Sequence, residues 1–286
     1  MFTLSSTLRR VAAAGVALAV ATTFAACGGS EAPSSSDSAG SSQIKTIKPG
    51  TLTVGTTSDS KPNAWIENGE FKGFDLDLTR AIAAKMGLKA EFSAIDFPGL
   101  FPAVASGRFD MGAASTAGTV ERQKIVDFSD GYLGGYLGVL TKKDSGITKD
   151  NASTNGKRLG LLQGSIQESY AKKFLPGATL VMFPDNNSGV SALESGRVDA
   201  YFLDYVVGTD YIEQHADLHQ PIALPAFDLP AAFPIKKGNT ALETAVNEAL
   251  VEVVKDGTWL KLYNQYFTKA PKPKDLPPYA LPKAAA

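Results

Sequence analysis

The chain is poor in the residues that most metal and nucleophile chemistry uses. It has one cysteine and two histidines in 286 residues. One thiol can neither close an internal disulfide nor build a cysteine-based zinc site. His215 and His219 lie four apart, but Pro221 follows and no third ligand is near, so they read as surface histidines. There is no G-x-S-x-G element, and two histidines leave a hydrolase triad little to work with. Charge of one sign is not in excess either, since 28 Lys and Arg face 29 Asp and Glu for a net charge of −1. That balance excludes the basic field a nucleic acid needs and the polybasic block an anionic lipid surface needs. Gly134-Gly135-Tyr136-Leu137-Gly138 is followed by no helical pattern, so it is not a dinucleotide fingerprint. Asp75-Leu76-Asp77 has the look of a metal pair but is better explained as acidic residues at a helix start. No metal, cofactor or catalytic residue is expected.

What remains is an ordinary globular composition, 44% hydrophobic and 20% charged, with biased ends. Arg9 and Arg10 precede an apolar run, Val11 to Ala26, that is too short and alanine-rich to span a membrane comfortably. A basic start, a short apolar core and small residues before a break spell a secretory signal over residues 1–26. Cys27 lies at the break. The arrangement resembles a bacterial lipoprotein signal, which implies lipidation of Cys27, although Phe24 stands where leucine is most common. Residues 27–48 read as the lipidated cysteine and a Gly/Ser-rich flexible linker. Residues 269–286 read as an extended Pro/Lys/Ala-rich tail.

Between the two ends the pattern is α/β. Leu52 to Thr56, Ala90 to Ile95 and Phe109 to Ala113 read as strands, alternating with helices over Leu76 to Met86 and Pro98 to Ser106. That order gives a parallel sheet covered by helices. A second unit repeats the grammar with strands at Arg158 to Leu162, Thr179 to Phe183 and Ala200 to Leu203. Ser165 and Glu168 have capping-box spacing. Ser195-Gly196-Arg197-Val198-Asp199 echoes Ser106-Gly107-Arg108-Phe109-Asp110, so both units end a helix and open a strand the same way. The expected architecture is two lobes, each a mainly parallel sheet flanked by helices, joined by a two-segment hinge near Tyr136 to Lys142 and Leu229 to Ile235. Residues 49–138 with 232–268 form the first lobe and 139–231 the second.

The chemistry centres on Gly107 to Asp130. A strand runs into Ala114, Ser115, Thr116, Ala117 and Gly118, and Thr119 then caps a helix start that carries Arg122 in its first turn. Free backbone N–H groups and a guanidinium fork at one place form a carboxylate receptor. Ligands in open α/β sheets sit outside the carboxyl ends of strands. Facing lobes would therefore bring the loop after Thr56, the Ala114–Arg122 stretch, the helix start at Gly164, Ser165 and Ile166, and Asp204 to one cleft. Arg122 would hold the carboxylate of a zwitterion and Asp204 its ammonium. Asp204 also has the place of a plain helix N-cap, and the two roles can coexist.

Gly73-Phe74-Asp75-Leu76-Asp77-Leu78, the SGR-F-D turn, Thr119-Val120-Glu121-Arg122, Asp127-Phe128-Ser129, Gln163-Gly164-Ser165 and Val246-Asn247-Glu248-Ala249-Leu250 followed by Asp256-Gly257-Thr258 resemble, in this order, the extracellular solute-binding proteins of family 3 that serve amino-acid ABC transporters. The resemblance implies an amino-acid ligand closed between two lobes and delivered to a membrane permease by a monomer held outside the cell membrane through its lipid anchor alone. It implies roles for Arg122 and Asp204 as above, a clamp lined by Ala114, Ser115, Ala117, Ser165 and Ile166, and ligand side-chain contacts near Asp59, Ser60 and Phe97. Relatives usually carry Ser or Thr at Ala114 or Ala117, often Thr at Ile166, an aromatic ring near Ser60 and a Phe at Asn63. Here Trp65 is the nearest large ring and is the candidate to replace them. An unusual amino acid or a derivative is the expected ligand. Two other functions fit the fold: a secreted dehydratase of the cyclohexadienyl type, and a ligand-sensing module for a membrane receptor.

Overall fold

The computed structural model describes residues 44–269 and 274–283. Cys27, the signal and most of the linker lie outside them. In chain order the regular elements are β1 (Thr51–Thr56), β2 (Asp59–Ser60), β3 (Ala64–Glu67), β4 (Glu70–Lys72), α1 (Phe74–Lys85), β5 (Lys89–Ala94), α2 (Phe97–Ala105), β6 (Met111–Gly112), α3 (Val120–Gln123), β7 (Asp127–Phe128) and β8 (Tyr136–Lys142). They continue with β9 (Arg158–Leu162), α4 (Gln167–Phe174), β10 (Thr179–Phe183), α5 (Asn186–Glu194), β11 (Ala200–Asp204), α6 (Tyr205–Gln214), β12 (Leu218–Pro225), β13 (Pro234–Ile235), α7 (Thr240–Lys255) and α8 (Thr258–Tyr266). No described helix is long and apolar enough to cross a membrane.

Two five-stranded sheets organise the two lobes, in the orders β5-β1-β6-β13-β7 and β10-β9-β11-β8-β12. The strands β5, β1 and β6 are mutually parallel, and so are β10, β9 and β11. Each sheet is completed by antiparallel partners, β13 in the first and β8 with β12 in the second. Strand alternation gives each sheet two buried faces. In β1, Leu52 and Val54 face a core shared with α1, α7 and α8, while Gly55 lets Phe109 and Leu100 of the opposite core approach its backbone. In β11, Phe202 faces the core of α4, while Tyr201 and Leu203 face that of α5 and α6. Phe74 anchors the first lobe, its ring 4.9 Å from Phe267, 5.9 Å from Trp259 and 6.4 Å from both Tyr132 and Tyr263.

Two segments cross between the sheets, and they hold each other. Tyr132 N–H donates to Ala231 and Ala231 N–H donates to Leu133, each at 2.7 Å. The first crossing lies at residues 129–135, a little before the expected one, because all of Tyr136–Lys142 already pairs within the second sheet. Part of the carboxyl-terminal tail is docked on the first lobe. Gly131 and Tyr279 exchange both backbone hydrogen bonds at 2.8 Å, and Gln123 Nε2 donates to Pro282 at 2.8 Å.

Three features differ from the sequence reading. Residues 59–72 form a three-stranded antiparallel sheet, where the sequence reading has only a loop after Thr56. Its turn, Asn68-Gly69, takes the left-handed conformation at both positions (φ 53 and 80) that a tight hairpin requires. The strand β12 was hidden by Pro221 and Pro225, which the sheet edge tolerates with a register shift between His219 and Ile222. The strand after Phe109 is only two residues long, Met111–Gly112.

Phe74→Ala would leave a cavity at the centre of the aromatic cluster and should cost about 3–5 kcal/mol in chemical denaturation. Truncating the exposed Ile66 should change stability by less than about 0.5 kcal/mol in the same assay.

Candidate functional site

The loop after β6 is built by a carboxylate beneath it. Ser115 has φ +48, a conformation disfavoured for a residue with a side chain. It is held there by Asp75 in the first turn of α1, whose Oδ2 accepts from Ser115 N at 2.5 Å and from Ser115 Oγ at 2.9 Å. Asp75 is fully buried, and burial pushes its carboxyl up to about 7, opposed by these hydrogen bonds. A few residues on, Thr119 caps α3 as expected, its hydroxyl accepting from Arg122 N at 3.3 Å.

Arg122 then reaches across the cleft. Its Nη1 donates to Ala117 O at 2.8 Å and its Nη2 to Gly164 O of the other lobe at 2.9 Å. The guanidinium lies over the rings of Phe101 and Phe97, 4.6 and 5.6 Å from their centroids. No carboxylate of the described residues lies within 4 Å of it. Burial lowers its pKa to about 10, and the charge of Asp204 works in the opposite direction.

Asp204 stands at the N-cap position of α6 but makes no capping bond. Its Oδ1 instead accepts from Gln167 Nε2 at 2.9 Å. Burial raises its pKa to about 6, with the Gln167 bond and the charge of Arg122 opposing. The capping box at Ser165 does not form either. The α4 helix starts later, at Gln167 after an Ile166 N-cap without a side-chain cap, and Ser165 Oγ is left buried without a partner.

Arg122 and Asp204 line one cavity of about 50 Å³ between the lobes. Ser60, Phe97, Ala114, Ser115 and Ala117 line it from the first lobe, and Ser165 and Ile166 from the second. Gly164 is not part of the wall and meets the site through its carbonyl. Trp65 lines no part of it; its ring packs edge-on against Tyr266 at 6.0 Å with Lys61 Nζ above it at 5.8 Å. Asp59 is also outside this cavity. Its Oδ2 accepts from the backbone N–H groups of Asn186 and Asn187 at 2.6 and 3.2 Å, at the amino end of α5 in the opposite lobe. Ser60 Oγ accepts from Asn186 Nδ2 at 2.9 Å, and Lys61 pairs with Asp210 at 2.8 Å. The lobes are thus in contact across the cleft.

Sequence reasoning missed Asn63, Gln167 and Asn186 in the cavity wall, together with the apolar Leu162, Leu203 and Val207. Asn63 had a signal, as the polar residue at a position usually aromatic. The other five had none, because nothing local to them marks the surface they turn to the cleft. A second cavity of about 120 Å³ adjoins, sharing Phe97 and Leu162 and bringing Asp59, Asp96 and Asp185 together. No group of three or more histidine, cysteine or acidic side chains suited to hold a metal exists among the described residues.

Because the Asp75 carboxyl is raised from 3.8 to about 7, the folded chain keeps a proton that the unfolded chain releases. The associated stabilisation is complete below about pH 4 and is lost as pH rises through 7. Ligand-free Asp75→Asn should therefore lose less stability than the parent between pH 4 and 7 in denaturant titrations.

Comparison with known proteins identifies the family. The model for bacterial extracellular solute-binding proteins, family 3, matches residues 52–269. The arginine-binding extracellular protein ArtP of Bacillus subtilis (strain 168) is 33% identical over 222 residues, 76% of this chain and 86% of that protein. An ancestral arginine-binding protein solved with arginine superposes with a TM-score of 0.72 at 37% identity, covering 76% of this chain and 98% of its own. An ancestral amino acid-binding protein described as a precursor of cyclohexadienyl dehydratase gives a TM-score of 0.69 at 36% identity, covering 76% and 95%. The chain belongs to the bacterial extracellular solute-binding proteins, family 3.

Proposed function

We propose that this protein is the substrate-binding lipoprotein of an ABC importer, capturing an α-amino acid or a derivative by closure of its two lobes. Cys27 carries the lipid, and the linker lets the lobes move outside the membrane while a permease receives the ligand. One observation carries the reading: Arg122 and Asp204, of opposite charge and from different lobes, line the same cavity and have no ion-pair partner among the described residues. Charges drawn even partly out of water without a counter-ion are costly, and a zwitterion satisfies both at once. The carboxylate would bridge Arg122 and the loop of Ala114, Ser115 and Ala117, and the ammonium would meet Asp204. The relatives named above are described as binding amino acids, which supports the same class.

Asp59 stabilises the closed form in this reading. Its carboxylate complements the positive end of α5 across the cleft, and it need not touch the ligand to do so.

Arg122→Ala should weaken binding at least a hundredfold, about 3 kcal/mol, by titration calorimetry against an amino-acid panel. Asp204→Asn should weaken amino acids far more than their deaminated analogues. Retained affinity in the first variant, or equal losses in the second, overturns the zwitterion reading. Asp59→Ala should raise the ligand dissociation rate roughly tenfold or more, the loss of at least one charge-assisted hydrogen bond, in stopped-flow fluorescence. Cys27→Ser should release the protein from membranes.

A further inference from the structure

Besides Ser165 Oγ, the cavity between Arg122 and Asp204 carries a second uncharged polar atom that no described residue satisfies. Asn63 is 1% exposed and lines the cavity, and its Oδ1 accepts no hydrogen bond from any described residue. The side chain is presented from a rigid turn. Asn63 N donates to Ser60 O at 2.7 Å, and Asn63 O accepts from Asp75 N at 3.0 Å. Gly73, at φ +135, makes that close approach possible, since a Cβ there would stand 2.1 Å from Asn63 O. A carboxamide offers both an acceptor and a donor, and can turn over to present either. Leaving it unmatched at a buried position is unfavourable.

Its two carboxamide neighbours are already committed. Asn186 is divided between Ser60 and Tyr201, and Gln167 Nε2 holds Asp204. Beyond Arg122 and Asp204, no ionisable carboxylate or cation lines this cavity. A cationic or anionic ligand side chain would enter without a counter-charge, and an apolar one would leave Asn63 unmatched. The volume is small as well. One water needs roughly 10–15 Å³ measured this way, so about 50 Å³ admits a compact ligand.

Resting on the zwitterion reading, we infer that Asn63 reads the ligand's side chain and selects a small, uncharged, polar amino acid, one whose hydroxyl or carboxamide completes the hydrogen bonding of Asn63. This differs from the arginine named for two of the relatives. The competing arrangement is a long cationic side chain passing Phe97 and Leu162 into the chamber that holds Asp59, Asp96 and Asp185.

Near-isosteric ligands separate the two. Titration calorimetry on the soluble chain without its signal would compare L-threonine with L-valine, L-asparagine with L-leucine, and L-lysine and L-arginine alone. The expected result is a preference of about a hundredfold or more for the polar member of at least one pair, as sites built to hydrogen-bond a polar group reject analogues lacking it. In Asn63→Leu that preference should collapse to within a fewfold while the apolar member still binds. Tightest binding of lysine or arginine, preference for the apolar members, or a polar preference that survives in Asn63→Leu overturns the assignment to Asn63 and leaves the zwitterion reading standing. Binding of none of the six overturns both. If Asn63→Leu does not fold by circular dichroism, Asn63→Ser serves in its place, and the parent's isosteric comparison decides the ligand class by itself.

Discussion

Two opposite charges facing each other across a cleft, neither paired within the described residues, set the terms for the rest of this molecule. An isolated ion moved out of water is heavily penalised, and each member of the pair registers that penalty: the Arg122 guanidinium is pulled down and the Asp204 carboxyl pushed up. The fold tolerates this because partial compensation is arranged. Arg122 has two carbonyls and two aromatic faces, and Asp204 has one amide. None of these neutralises the charge. In the proposed reading, a ligand carrying both signs relieves the remaining deficit, so an energetic liability becomes a source of affinity.

The surrounding structure keeps that deficit in place. Asp75 holds Ser115 in a conformation it would not otherwise keep, and the same first turn of α1 grips the backbone of Asn63. The carboxylate-facing loop and the polar wall opposite are therefore both referenced to one helix end, which Phe74 roots in the aromatic core. The docked tail adds a second brace, with Leu281 packed against Gly118 and Pro282 bound to Gln123 beside the Arg122 turn. Across the cleft, Asp59, Ser60 and Lys61 reach the second lobe through α5 and α6. The two lobes are thus joined by protein contacts across the cleft.

Trp65 does not supply the ring expected near the first loop, since it packs against Tyr266 instead, and Phe97 is the aromatic side chain that lines the cavity. Serine and asparagine occupy that wall. In the proposed reading, hydrogen bonding from that wall takes the part of ring stacking in reading a ligand side chain, a directional interaction that discriminates by chemistry more than by shape.

Much of this was written locally in the chain. Strand and helix order follow from periodicity, Thr119 caps its turn because hydroxyl and amide are three residues apart, and Arg122 and Asp204 could be singled out because a strand's carboxyl end followed by a helix start is recognisable in one dimension. Other features depend on groups far apart in sequence. Ser165 fails to cap because its helix begins later, Asp204 turns from its own helix to Gln167, and Asp59 completes a helix 127 residues away. Local spacing says which hydrogen bonds are available to a side chain. Which one it makes depends on competition among partners that only folding brings within 3 Å, and that competition decided where the cleft's charges, its unmatched amide and its clasp would lie.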